Sequence, residues 1–231
     1  MSLKLYELTG MGDLRFSPFC WRARLALAHK KLEPGIVPCR FTDKARIAFS
    51  NQEKLPVLVD GERVVPDSWD IACYLEDTYP ERSALFGGDY GRQLSRFVHV
   101  WDDTRLKPAL LRVIVKDLFE HAVHPEDRDY FRQSREKRYG MTLEELHATR
   151  DAHMPEVDKV LTPLRKMLSS SQPYLCGEAP AYADYVVFAT FQWVRLTSPV
   201  EILEPEDPIA GWQERMLDLF GGMARVQPAA A

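Results

Sequence analysis

Apolar and polar residues alternate over Leu3-Lys4-Leu5-Tyr6-Glu7-Leu8, which predicts a strand. The pattern then turns helical. Ser17 and Pro18 supply a cap and a first-turn proline, and Leu25-Ala26-Leu27-Ala28 carries the helix to about Lys31. Residues 36–41 form a second apolar run. Its Pro38 has no N–H for a ladder, which places that strand at a sheet edge. Val57-Leu58-Val59 and Arg63-Val64-Val65 flank Asp60-Gly61, a strong hairpin signal. Asp67-Ser68 then opens a helix through Ile71, Leu75 and Thr78 that stops before Pro80.

The order β-α-β, hairpin, α fills about 80 residues, a reasonable small domain. A linker at 83–91 carries adjacent glycines. Beyond it strand signals fade, and helices are expected at about 90–121, 125–149, 155–169, 182–196 and 208–220. Pro125 and Pro155 are placed near helix starts. The predicted architecture is an α/β unit at 1–84 followed by an all-helical unit at 90–225.

The 231-residue chain is 45% apolar and 28% charged, with a net charge of -4. That balance fits a globular protein and argues against nucleic acid as a partner. No apolar run approaches the length of a membrane span, and the first residues lack a secretory pattern. Cys20, Cys39, Cys73 and Cys176 are too scattered for a disulfide framework, so free thiols in a reducing compartment are expected. His121 and His124 have near-helical spacing but no partners in a zinc pattern, so no metal is expected.

The chemistry concentrates at Ser17-Pro18-Phe19-Cys20-Trp21-Arg22. A hydroxyl, unpaired backbone N–H groups and the positive end of a helix dipole meet there, which favours an anion such as a thiolate. The order strand, S-P-F-C, helix resembles the C-x-x-C site of thioredoxin-like domains, with serine in place of the first cysteine. Cys20 could have a lowered pKa on that first turn, although free cysteines are more often buried.

Four separated motifs together resemble the cytosolic glutathione transferases. They are Ser17-Pro-Phe-Cys-Trp-Arg, as in serine-type members; Lys54-Leu55-Pro56-Val57; Asp67-Ser68 before a helix; and Ala183-Asp184 after Pro180. The segment from Pro125 to Glu136 and Asp67-Ser68-Trp69 further resemble the bacterial β-etherases and related fungal transferases. The resemblance implies a thioredoxin-like domain followed by an all-helical one, a cytoplasmic homodimer, glutathione as co-substrate and a small hydrophobic electrophile.

Residue by residue, the resemblance implies that Ser17 donates to the glutathione sulfur. Leu55, before a cis Pro56, would hold the cysteinyl backbone. Ser68 would meet the γ-glutamyl carboxylate and Asp67 its ammonium. Lys54, with Arg40 or Lys44, would face the glycyl carboxylate. Phe19 is the first choice for the electrophile wall, ahead of Phe16, Trp101, Tyr130 and Trp193. Asp184 would cap its helix, and Ala181 stands where the family has Ser or Thr. Arg128-Asp129 and Arg132-Arg135-Glu136 read as a solvated, salt-bridged helix face. Two alternatives stay open: a zeta-like glutathione-dependent isomerase of the maleylacetoacetate type, and a non-catalytic glutathione- or ligand-binding protein.

Overall fold

The computed structural model describes residues 3–169, 172–226 and 230. Four strands form one mixed sheet: β1 (Leu3–Leu8), β2 (Gly35–Cys39), β3 (Val57–Asp60) and β4 (Arg63–Pro66), in the order β2-β1-β3-β4. β1 runs parallel to β2 and antiparallel to β3, and the β3–β4 hairpin turns at Asp60-Gly61. Pro38 lies in β2 at the sheet edge, where its missing N–H leaves no gap in an inner ladder. Helices α1 (Pro18–His29) and α2 (Ser68–Thr78) complete a thioredoxin-like domain. α1 buries Trp21, Ala23, Leu25 and Ala26 completely.

The second domain is helical. It comprises α3 (Asp89–Trp101), α4 (Lys107–His121), α5 (Arg128–Tyr139), α6 (Leu143–Ala148), α7 (Arg150–Leu168), α8 (Tyr182–Thr197) and α9 (Pro208–Leu217). α8 is buried along nearly its whole circumference, as expected of a helix that is apolar all round. It lies against α1, where the His29 Nδ1 and Tyr185 hydroxyl are 2.6 Å apart, and its Tyr182 hydroxyl donates to the Ser68 carbonyl at 3.0 Å. The two domains thus share one core.

Three expected helices differ in detail. The one expected at 90–121 is α3 and α4 joined by a π-helical turn, Asp102–Leu106. The one expected at 125–149 breaks after Tyr139. Gly140 takes a left-handed conformation there, and Thr142 and Glu145 form a capping box that starts α6. Pro155 was expected near a helix start but lies, with Pro163, inside α7. Each proline removes one ladder bond, and burial of Val157, Leu161, Leu164 and Leu168 along one face offsets that loss.

Asp184 gathers four donors: the N–H groups of Leu175, Cys176 and Ala181, and the indole of Trp212. The N-terminus of α8 is therefore tied to the preceding loop and to α9, although Ala181 offers no side-chain cap.

Candidate functional site

Sheet register brings the motifs together. Leu8 pairs with Cys39, Tyr6 with Val57, and Val57 with Pro66. The chain leaving β1 and β2, entering β3 and leaving β4 therefore meets at one end of the sheet. Ser17, Cys20, Arg40, Lys44, Lys54, Leu55, Pro56, Asp67 and Ser68 all follow or precede those strand ends.

Ser17 caps α1 with an extended backbone, and its Oγ accepts from the Cys20 N–H at 3.3 Å. The loop before it is pinned by Gly10, where a Cβ would sit 2.0 Å from the Ala122 carbonyl and 2.6 Å from Phe16. Only glycine permits that approach, and the Met11 N–H seals it by donating to the Ala122 carbonyl.

Cys20 is fully enclosed and accepts from the Leu8 N–H. Burial pushes its thiol up to about 12, so it is not a thiolate at neutral pH. It fills space beneath Ser17 as a small apolar residue.

The Leu55-Pro56 bond is cis. Among the described residues, neither the N–H nor the C=O of Leu55 has a hydrogen-bond partner. Asp67 stands at positive φ, and its Oδ1 accepts from the Trp69 N–H at 2.7 Å, capping α2. Beside it, the Ser68 side chain is 1% exposed and its Oγ has no hydrogen-bond partner. A buried hydroxyl left unpaired at a helix N-terminus is costly, and an anion there satisfies it.

The cationic candidates separate. Arg40 is bound to Glu126 and Asp43, which neutralise it. Lys44 donates to the Glu53 carbonyl at 2.6 Å and lies over the Tyr130 ring, with no carboxylate partner among the described residues. Lys54 is exposed.

Phe19 is half-buried between two cations, Lys107 at 3.8 Å and Arg22 at 5.1 Å from its ring centre. Phe16 is buried, with its ring 6.1 Å from that of Phe41. Phe41 in turn faces Tyr130 and Phe131 of α5. Trp193 belongs to the core.

A charged cluster beneath this site has no signal in the local sequence. Arg22 reaches from α1 to Asp102, Asp103 and His99 on the helical domain. Burial disfavours the Arg22 charge, but the two carboxylates outweigh that and hold its pKa above the usual arginine value. Asp103 is likewise penalised by burial, yet His99, Arg22 and Lys107 hold it far below the ordinary carboxylate range. A cavity of about 370 Å³, lined by Asp67, Asp70, Arg96, His99, Val100, Asp103 and Thr104, opens beside the α2 cap. Its lining carries three carboxylates beside the Arg96 guanidinium, and Asp103 among them is already paired with Arg22 and Lys107. Among the described residues, no three His, Cys, Asp or Glu side chains gather as metal ligands.

Known proteins match this layout. Residues 12–83 match the glutathione S-transferase N-terminal domain model, and residues 94–219 match a C-terminal domain model of the same family. The chain belongs to the glutathione S-transferase family. A glutathione S-transferase-like protein, ustS, of Aspergillus flavus is 26% identical over 139 residues, covering 55% of this chain and 49% of that protein. Glutathione transferase omega-1 of Caenorhabditis elegans is 35% identical over 75 residues, covering 32% of this chain and 30% of that protein. The matched stretches thus span half or less of these curated relatives.

Among solved structures, glutathione transferase GSTFuA3 of Phanerochaete chrysosporium superposes with a TM-score of 0.78 at 23% identity, covering 96% of this chain and 92% of that one. CsGST83044 of Ceriporiopsis subvermispora, crystallised with glutathione, superposes with a TM-score of 0.80 at 22% identity, covering 95% and 98%. Both establish the shared fold. No helix among the described residues is long and apolar enough to cross a membrane.

Proposed function

We propose that this chain is a serine-type glutathione transferase whose Ser17 donates a hydrogen bond to the glutathione sulfur. The observation that carries this reading is the buried, unpaired Ser68 hydroxyl, at the same sheet end as Ser17 and the unpartnered Leu55 backbone. Ser68 and the α2 N-terminus receive the γ-glutamyl carboxylate, and the carboxylates around the adjacent cavity receive its ammonium. Leu55 pairs with the cysteinyl backbone, and Lys44 and Lys54 face the glycyl end.

At Ser17 a hydroxyl and a helix N-terminus favour the thiolate over the thiol, whose unperturbed pKa is about 8.5. The thiol proton leaves to solvent. The thiolate attacks an electrophilic carbon, a C–S bond forms, and the leaving group departs with the electron pair of the broken bond. An aromatic or aryl-ether carbon suits the row of rings that runs from the buried Phe16 through Phe41 to the exposed Tyr130. Calorimetry with glutathione and turnover of chlorodinitrobenzene test this directly. Binding without turnover of any electrophile would favour a non-catalytic role. Turnover of a cis-enone diacid in place of the aryl halide would favour the isomerase.

The same reading includes a homodimer in a reducing, cytoplasmic setting. Tyr90, Leu94 and Phe97 form an apolar stripe on α3, exposed by 91%, 69% and 70%. A second copy would cover it. A monomer by light scattering at micromolar concentration would contradict that assembly.

A further inference from the structure

The helix face expected to be solvated and salt-bridged divides in two. Arg132 behaves as expected, pairing with Glu136 and Glu144 at 2.9 Å. Arg135, one turn later, points inward. Its guanidinium lies 4.5 Å from the Phe131 ring centre and 5.9 Å from that of Phe41. Its one hydrogen bond goes to the neutral Ser134 Oγ at 2.8 Å, and its Nε is buried without a partner. Arg112 of α4 is similar: its guanidinium sits 5.8 Å from the Tyr139 ring centre and its Nε is also buried and unpaired.

The surrounding carboxylates are already committed. Asp127 accepts from the Phe41 and Thr42 N–H groups and the Thr42 hydroxyl. Glu126 holds Arg40, Glu136 and Glu144 hold Arg132, and Asp117 holds Arg150. Among the described residues, Arg112, Arg135 and Arg138 have no carboxylate partner. His153 of α7 lies near Arg112 and is pushed toward its neutral form by burial and by that charge. A guanidinium does not shed its proton to escape burial, so the charge of Arg135 persists. Aromatic faces offset part of its desolvation, but an anion would offset more.

We propose that the electrophile of this protein is an acid, with Arg135 binding the carboxylate of an aromatic co-substrate. Phe41 links the two halves of this site. One side of its surroundings holds Phe16, the neighbour of Ser17, and the other holds Arg135. An aromatic acid lying along Phe41 and Tyr130 places its ring toward the glutathione sulfur and its carboxylate at the guanidinium. Arg135 is bidentate-capable, which suits a planar carboxylate. The inference rests on the thiol-transfer reading for the direction of the ligand, but the anion pocket is testable without it.

The test compares 4-chloro-3,5-dinitrobenzoate with its methyl ester, each rate normalised to its uncatalysed reaction with glutathione. The expected result is an acid-to-ester kcat/KM ratio that falls about tenfold in Arg135→Gln, with partial recovery in Arg135→Lys. An unchanged ratio overturns the proposal. If neither compound is turned over, the transfer reading fails and the pocket is read by calorimetry with unreactive 3,5-dinitrobenzoate and its ester. About tenfold weaker binding of the acid alone in Arg135→Gln supports the pocket, and equal changes for acid and ester overturn it. Should Arg135→Gln fail to fold, Arg135→Lys gives the same comparison, with a smaller fall in the same direction expected and an unchanged ratio overturning the proposal.

Discussion

The Arg22 guanidinium lies 2.5 Å from the Asp102 carboxylate, with both side chains fully buried. This pair ties the helix that begins at Ser17 to the π-helical turn of the second domain. Asp102 also accepts from the Thr190 hydroxyl on α8. Three elements therefore share one ion pair, and the position of α1 depends on the domain interface.

Replacing Arg22 with leucine strands Asp102 in the interior. A buried pair broken on one side costs about 3–5 kcal/mol. Arg22→Leu should lose that much stability in urea unfolding. Arg22→Lys should lose less but not recover fully, because a single ammonium nitrogen cannot also reach His99 as the second guanidinium nitrogen does. A loss below about 1 kcal/mol in the leucine variant would mean that the pair does not hold the domains together.

Ser68→Ala removes a buried hydroxyl that has no partner in the free protein. Stability should hold or rise slightly, since an unsatisfied group is removed. Affinity for glutathione should fall about tenfold or more, as a charge-assisted hydrogen bond is lost. Calorimetry and a thermal melt on the same sample measure both. Unchanged affinity would place the γ-glutamyl carboxylate elsewhere.

Asp184→Ala should act in the opposite way. Four donors lose their acceptor at once, including the buried Trp212 indole. Unfolding free energy should fall by about 3–5 kcal/mol, while the glutathione affinity of the folded fraction stays within about twofold. Loss of affinity with intact stability would reverse this assignment.

Lys107 gives the fold a pH signature. Burial, with Arg22 adding to it, lowers its pKa from 10.5 to about 8, against the pull of Asp103 and Asp102. Between those values the unfolded chain binds more protons than the folded one, so this group's contribution to stability rises with pH. Its penalty is full below about pH 8 and is gone above about 10.5. Relative to Lys107→Met, the wild-type protein should gain about 3 kcal/mol across that window. Urea unfolding of both proteins at several pH values checks this, and parallel pH curves would show that Lys107 titrates normally.

Much of the candidate site's backbone is readable from the chain because it is built from local signals. A capping serine with a following proline, an Asp-Gly hairpin and an Asp-Ser helix start each specify their own backbone. The sheet then carries them to one end. The Gly140 break and the Thr142–Glu145 capping box were equally local but lay inside one long, charged helix-forming stretch that reads as continuous. The Arg22–Asp102 pair and the inward turn of Arg135 were not readable. Partners 80 residues apart leave no periodicity, and an arginine in a charged helix looks alike whether it faces solvent or a ring.

On the proposed reading, Ser17 steadies a thiolate it does not itself form. The direct measurement is the pKa of glutathione's thiol when bound, followed by ultraviolet absorbance of the thiolate in wild-type protein and Ser17→Ala. The bound thiol should titrate at least one unit below the free value of about 8.5 in the wild type and move back toward it by about a unit or more in the variant. The same titration in both proteins would contradict it.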